Sequence, residues 1–275
     1  MKKFVVEKMN LNYINLSFFL LFIFVALAAE LVSPYDPWER FEPYSFPSSS
    51  HILGTNDMGN DVLSELIFGA RVSLIVGFGA SIIATFLGIV IGLMSGYYRG
   101  LSEEILMTIT DIFLMIPRIP LIIILAALLR PSFWIIMLLI SFLWWPTTAR
   151  VVRSSTMQIR DAPFILSAKS IGFSNKHILL SDIFPNIIYV IIPKFMLTIA
   201  SAMFSEASIS FLGLGDPTMK SWGMMLNFAF TKGGLVNEMW AWYIPPGLCI
   251  VTVVFSIMLI GFSFEEKENI VMGLE

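Results

Sequence analysis

An uncharged run from Val72 to Tyr98 constrains the fold of this chain more than any other feature. It is longer than the ~20 apolar residues that an α-helix needs to cross a bilayer. Long apolar runs recur along the 275 residues, of which 57% are hydrophobic and only 13% are charged. A membrane β-barrel would show short alternating segments instead. The sequence therefore predicts an all-α membrane protein.

Six membrane spans are predicted from the apolar runs. They cover about residues 11–32, 72–98, 104–129, 132–149, 187–204 and 243–264. The segment between the fourth and fifth spans, residues 150–185, has an excess of basic residues, which is typical of loops on the cytoplasmic side. These basic residues are Arg150, Arg153, Arg160, Lys169 and Lys176. Six spans then place both termini in the cytoplasm and make the chain a multi-pass protein of the cell membrane.

We divide the chain into an N-terminal part, residues 1–70, and a transmembrane core, residues 71–275. The N-terminal part would contain the first span and an outer segment. The first apolar run is longer than the ~7–15-residue core of a signal peptide. We therefore expect an uncleaved span, although Ala26-Leu27-Ala28 resembles a cleavage site.

The first outer segment, residues 33–70, is acidic. Its acids are Asp36, Glu39, Glu42, Asp57, Asp61 and Glu65, against the single base Arg40. We expect these acids to be solvated, and an amphipathic helix at the membrane surface to follow a turn at residues 54–56. Asn56, Asp57 and Asp61 lack the spacing of an EF-hand calcium loop. We expect them in turns and helix caps, and predict no metal site.

Ionisable residues and prolines interrupt the predicted third span. Asp111 and Arg118 are seven residues apart and would share one face of a regular helix, which Pro117 and Pro120 would bend. Charges at membrane depth are costly and normally face a partner or a cavity. Two alternatives stay open: an ion pair between helices, which we favour, or a part of the translocation path or its gate. Glu206 is a further candidate for the path or gate.

Several kinds of chemistry are absent from the sequence. No phosphate-binding G-x-x-x-x-G-K-[ST] loop, G-x-S-x-G nucleophile motif or H-E-x-x-H helix occurs. The one cysteine, Cys249, excludes an intramolecular disulfide. We therefore predict no catalytic residues and no cofactor, and energy for uphill transport would have to come from a partner. Rival interpretations are a self-sufficient secondary transporter or channel, and a membrane enzyme.

Three segments resemble those of one transporter family. HILGTNDMGNDVLSELIFGARVSL (51–74) and SEASISFLGLGDPTMKSWG (205–223) are similar to segments of C-type permease subunits of ATP-binding-cassette importers for oligopeptides, dipeptides and nickel. FILSAKSIGFSNKHILLSDIFPN (164–186) resembles the family's cytoplasmic E-A-A signature. Leu166, Ser167 and Ala168 stand at its first three positions, with Gly172 at its glycine and Pro185 at its final proline.

The resemblance implies a coupling helix between the fourth and fifth spans. It would extend from Phe164 to Ile171, lie parallel to the membrane and sit in a cleft of a cytoplasmic ATPase. The implied coupling residues are Phe164, Leu166, Ser167, Ala168, Lys169, Gly172 and Pro185. Ser167 and Ala168 would permit close approach to the ATPase. Gly172 would end the helix in the left-handed conformation, and Pro185 would stop the chain from continuing as an unbroken helix into the fifth span.

The resemblance also implies a function and a set of partners. The chain would be a permease subunit of an importer driven by ATP hydrolysis in partner chains. Its partners would be a homologous second permease, one or two cytoplasmic ATPases, an extracytoplasmic substrate-binding protein that meets the outer segments, and the lipid bilayer. No nucleic-acid partner is expected. Peptides are the expected substrate class, with nickel or a nickel chelate as the alternative.

Overall fold

Helices form about three quarters of the chain, and the longest non-helical segment is residues 33–61. A computed structural model describes the backbone of residues 2–271 and the side chains of residues 15–264. The helices are α1 (Lys2–Leu27), α2 (Ala29–Val32), α3 (Val62–Tyr97), α4 (Leu101–Met115), α5 (Arg118–Leu128), α6 (Phe133–Ile159), α7 (Pro163–Ile171), α8 (Asn175–His177), α9 (Phe184–Ile209), α10 (Trp222–Thr231) and α11 (Trp240–Val271). A π-helical turn, Ile178–Ile183, precedes α9, and Ser210–Leu214, which follows α9, is kinked at Gly213 with φ +81°. Within the described backbone, β-pairing is confined to a single bridge between Thr55 and Asp61.

The lengths and composition of these helices confirm the all-α membrane fold. Four helical stretches are long and apolar enough to cross a membrane: Val62–Tyr97, Phe133–Ile159, Asn175–Leu214 and Trp240–Phe264. Helices α4 and α5, bent by 82° at a short break, make a fifth if they are counted as one span. Within α1, the described side chains form a shorter apolar helix, Asn15–Leu27. Six spans and cytoplasmic termini stay predictions, and the side chains of the tail, 265–275, lie outside the described residues.

Two helices begin or end elsewhere than the sequence predicted. Helix α3 begins at Val62, so the helix expected at the membrane surface forms its first turns. The predicted boundary between the N-terminal part and the transmembrane core, after residue 70, falls inside α3. Asp61 fixes this start, because its carboxylate accepts a hydrogen bond from the Ser64 N–H at 2.8 Å. Helix α6 continues to Ile159, ten residues beyond the predicted fourth span. Polarity in residues 150–159 therefore marks a helix leaving the apolar layer rather than a loop.

The sequence analysis predicts that Pro185 interrupts the helix, and this prediction is wrong. The helical stretch Asn175–Leu214 continues through it. Pro185 occupies the first turn of α9, directly after the π-helical turn Ile178–Ile183. In that turn the Phe184 N–H donates to the Leu179 carbonyl, five residues back. The wider turn accommodates a residue that lacks an N–H donor and would clash with the preceding α-helical turn.

Small residues, among them Gly88 and Gly92, recur at three- and four-residue steps in residues 72–98, a spacing that predicts close helix packing. The contact between α3 and α6 confirms this prediction. Three glycines spaced one turn apart on α3 face a row of small side chains on α6. A Cβ atom on Gly92 would lie 2.7 Å from the Ala149 carbonyl oxygen and 2.6 Å from the Val152 Cβ. The facing pairs are Gly88 with Thr148, Gly92 with Val152, and Gly96 with Thr156.

Candidate functional site

Helix α7 is set up by local signals at both ends. Pro163 lies in its first turn, where the missing N–H costs nothing. Gly172 follows its last residue with φ +94° and ψ +19°, the left-handed conformation that glycine adopts without strain. The Phe173 N–H then donates to the Ala168 carbonyl at 3.1 Å and closes the helix end. The prediction of a short helix ended by Gly172 is confirmed.

One face of α7 anchors it to the rest of the protein. Ile165 and Ala168 are buried in an apolar cluster with Tyr97, at the end of α3, and with Ile178 and Ile183 of the π-helical turn. The Lys169 ammonium lies 4.8 Å from the centre of the Tyr97 ring. The Tyr97 hydroxyl in turn hydrogen-bonds the Asn175 side chain at 2.8 Å. Tyr97 therefore connects α3, α7 and α8.

The face of α7 turned away from the bundle has Ser167 near its middle and apolar side chains along its edges. Phe164 and Leu166 are each 49% exposed and Ile171 is 77% exposed. Ser167 is exposed, and its hydroxyl donates to the Pro163 carbonyl within the helix at 2.8 Å. Ala168, expected beside Ser167 on this face, is buried against the bundle instead. Exposed apolar groups on a helix fixed by its other face are suited to bind another protein.

Phe173 and His177 add exposed aromatic rings just beyond α7, and the sequence analysis did not select them. Their rings stack with centroids 4.6 Å apart and planes inclined by 15°. Phe173 is 48% exposed. A signal was present in the sequence, because a helix that ends at a glycine often carries an apolar residue just beyond it. We define the docking face as Phe164, Leu166, Ile171 and Phe173.

Many basic side chains near α7 are paired with acidic or carbonyl groups of the same chain. Arg150 pairs with Asp111 of α4 at 2.7 Å, and Arg153 pairs with Glu103 of the same helix. Arg160 donates to the Gly96 carbonyl at 2.7 Å. Three of the five basic residues that marked this segment therefore fasten α6 to its neighbours.

The structure does not bring the three path or gate candidates together. Helix α4 ends at Met115 and α5 begins at Arg118, so Asp111 and Arg118 lie on separate helices and do not share one regular face. Asp111 pairs with Arg150, whereas the Arg118 guanidinium lies 5.3 Å from the Trp144 ring centre. Asp111 thus makes an ion pair between helices, but its partner is Arg150 of α6. Residue spacing along a single helix could not reveal that partner.

Glu206 occupies a different, fully enclosed environment on α9. Its carboxyl group hydrogen-bonds the Ser73 hydroxyl of α3 at 3.2 Å and the Ser210 hydroxyl at 2.8 Å. Asp216 lines the same small cavity and accepts a hydrogen bond from the Phe133 N–H at 3.2 Å. Burial raises the pKa of Asp216, but hydrogen bonds from Thr218 and Phe133 outweigh it and leave that pKa below its usual value.

A buried ion pair joins the two predicted outer segments, residues 33–70 and residues 205–242. Lys220 pairs with Glu65, and both side chains are almost entirely enclosed. The Lys220 ammonium also hydrogen-bonds Asn60 at 3.1 Å and lies 4.2 Å from the Trp38 ring centre. Asn56 donates a further hydrogen bond to Glu65 at 2.9 Å. The sequence analysis missed this pair, because its members are 155 residues apart.

The acids of the first outer segment therefore divide into two groups. Asp36, Glu39 and Glu42 are exposed, as predicted. Glu65 and the helix cap Asp61 are buried, so the expectation that they are solvated was wrong. Asp57 lies between these extremes: burial raises its pKa by more than the positive charges of Lys232 and Lys220 lower it. Capping by Asp61 and the turn hydrogen bonds of Asn56 confirm the predicted use of these side chains.

Comparisons with known proteins identify a single family. Residues 88–267 match the family described as binding-protein-dependent transport system inner membrane component. The oligopeptide transport system permease protein OppC of Bacillus subtilis is 30% identical over 92% of this chain and 83% of its own length. The glutathione transport system permease protein GsiD of Pectobacterium atrosepticum is 33% identical, over 89% of this chain and 81% of its own. The dipeptide transport system permease protein DppC of Bacillus subtilis is 30% identical over 90% of this chain and 78% of its own length.

The family match covers α6, the docking face of α7 and the whole of α9. The three relatives extend the similarity over most of the remaining chain. The chain therefore belongs to the family of inner membrane components of binding-protein-dependent transport systems.

Proposed function

We propose that this chain is one permease subunit of an importer for dipeptides or oligopeptides, driven by ATP that partner chains hydrolyse. The observation that carries the proposal is the docking face, an apolar surface on a short helix that its other face holds against the bundle. The relatives support the substrate class, since they are named as permeases for oligopeptides, dipeptides and glutathione.

The proposed arrangement places α7 in the cytoplasm, six spans in the membrane and both termini inside the cell. The ATPase would receive the docking face, and a second, homologous permease would complete the path. The outer segments, joined by Lys220 and Glu65, would meet a substrate-loaded binding protein. A path or gate role for Asp111, Arg118 and Glu206 stays part of the proposal. ATP-driven closure of the ATPases would move α7 and shift the permease between two discrete states.

Partner recovery and transport together test this function. The tagged chain would be purified in mild detergent, its partners identified by mass spectrometry, and the complex reconstituted into liposomes. We expect a second permease and an ATPase to accompany the chain, and labelled dipeptide uptake to require ATP and the binding protein. Nickel uptake in the same assay would favour the alternative substrate. Transport by the chain alone would contradict the proposal and support a self-sufficient transporter.

Substitution Phe164→Glu is expected to weaken ATPase binding about 30-fold, since a side chain at the centre of a protein interface commonly contributes ~2 kcal/mol. Phe164 is half exposed, so the charge should not disturb the fold. The measurement is a titration of purified ATPase against the permease in nanodiscs. Val236→Glu is the control, because Val236 is 87% exposed in the turn between α10 and α11, away from α7. Equal affinities for Phe164→Glu and wild type would exclude this docking face.

Substitution Gly172→Asp is expected to leave the chain in the membrane and to reduce ATP-dependent uptake at least tenfold. No heavy atom lies within 4 Å of a Cβ at this position, so the change creates strain at φ +94° without a clash. Strain there should unwind the last turn of α7. Gly100→Asp is a matched control, because Gly100 also has a positive φ and open space but precedes α4. Normal uptake by Gly172→Asp, or an equal loss in both variants, would argue against coupling through α7.

A further inference from the structure

An apolar groove lies on the surface formed by α3, α6 and the end of α5. Its volume is about 450 Å3, and its walls include Ile83 and Leu87 of α3, Leu129 after α5, and Ile135, Leu138 and Phe142 of α6. Ser141 also lines it, but its hydroxyl donates to the Met137 carbonyl at 2.6 Å. The groove therefore offers no unsatisfied polar group to an occupant.

The groove runs along α6. From Ile135 to Phe142 it follows α6 for two helical turns, or about 10 Å. Leu129, which follows α5, also lines the groove, and Arg130 comes next in the chain. Arg130 is exposed and has no acidic or hydrogen-bonding partner among the side chains of residues 15–264. The exposed Trp134 lies in the same region and is of a type enriched at membrane interfaces.

We propose that the groove binds one acyl chain of an anionic phospholipid, whose phosphate pairs with Arg130. Lipid tails are as apolar as leucine, so the groove alone would not distinguish one lipid from another. Arg130, an exposed cation next in the chain to the lining residue Leu129, supplies that distinction through its attraction for the phosphate and headgroup charge. The binding site goes beyond the proposed function: it requires only that the chain spans a membrane, and neither the ATPase nor the transported substrate enters it.

The test counts lipids that stay bound to the protein. The chain, with the subunits that accompany it, would be reconstituted in nanodiscs of equal parts phosphatidylglycerol and phosphatidylcholine, then released into mild detergent for native mass spectrometry. We expect the wild type to retain phosphatidylglycerol preferentially. Arg130→Gln should lower that retention about fivefold, the equivalent of ~1 kcal/mol for one basic residue near an anionic surface. Leu138→Trp, which fills the groove from an exposed position, should lower the retention of both lipids.

The control is Arg40→Gln, which removes an exposed charge from the first outer segment, outside the groove, and should leave lipid retention unchanged. Equal retention by wild type and Arg130→Gln would overturn the proposal. A loss in Arg130→Gln without a loss in Leu138→Trp would place the lipid outside the groove and overturn it as well. Substitution Leu138→Cys adds a second measurement: cross-linking of this cysteine to another protein chain would show that protein, not lipid, covers the groove.

Discussion

Substitution Gly92→Val is expected to destabilise the protein by about 3 kcal/mol or more, at the upper end of what an overpacked interface costs. The added Cβ would lie 2.7 Å from a carbonyl oxygen of α6 and 2.6 Å from the Val152 Cβ. A backbone atom cannot move aside as a flexible side chain does, so α3 and α6 would have to separate. The same contact repeats at Gly88 and Gly96, and separation at one level would therefore loosen the others.

The measurement is thermal unfolding in detergent micelles, followed by gel filtration to detect loss of the folded form. Gly247→Val is the matched control, because Gly247 lies in the apolar helix α11 and a Cβ there meets nothing within 4 Å. It should melt close to the wild type. Similar melting temperatures for the two variants would show that the α3–α6 contact tolerates an extra side chain.

Breaking the buried pair between Glu65 and Lys220 is expected to cost about 3–5 kcal/mol, because removal of one partner leaves the other charge enclosed and uncompensated. Glu65→Gln keeps the shape of the side chain but removes the negative charge that compensates the Lys220 ammonium, whose other contacts are the uncharged Asn60 side chain and the Trp38 ring. Lys220→Met leaves the Glu65 carboxylate buried with Asn56. Both single variants should unfold at lower temperature, and the outer segments should become sensitive to protease.

A double variant distinguishes the interaction between the two charges from the interaction of each charge with its surroundings. Glu65→Gln combined with Lys220→Met removes both charges, so it should be destabilised by less than the sum of the single variants. Glu30→Gln is the control: it breaks the pair with Arg71 at the protein surface, where Glu30 is 74% exposed, and should cost less than about 1 kcal/mol. Additive losses in the double variant would mean that the two charges do not stabilise each other.

The features that the sequence predicted correctly depend on neighbouring residues. Helix α7 has its proline at the start and its glycine just after the end, within ten positions of each other. The glycines of α3 could be recognised because small residues at helical spacing have few uses in an apolar span other than close packing. Capping by Asp61 likewise involves a residue only three positions away.

The features that were missed depend on which distant residues meet. The spacing of Asp111 and Arg118 suggested one face, but a break at Ile116 and Pro117 separates them, and Asp111 finds Arg150 on α6 instead. Acids in a loop are usually solvated, and nothing near Glu65 in the chain indicated that Lys220 would cover it. The charges of residues 150–159 predict a loop, but arginines paired with acids of α4 are compatible with a continuing helix.

The glycine contacts between α3 and α6 also determine how displacement would pass through the protein. Backbones packed this closely resist sliding along each other, so the C-terminal half of α6 and the whole of α3 would tilt as one lever. Helix α3 has 36 residues and is about 54 Å long, so a tilt of about 5° moves one end by about 5 Å relative to the other. Tyr97, which contacts α7, lies at one end, and Val62, beside the buried Lys220–Glu65 pair, lies at the other. If α7 is the coupling helix that we propose, a small rotation imposed through it would reach the other end of α3, near Val62, as a displacement of several ångströms.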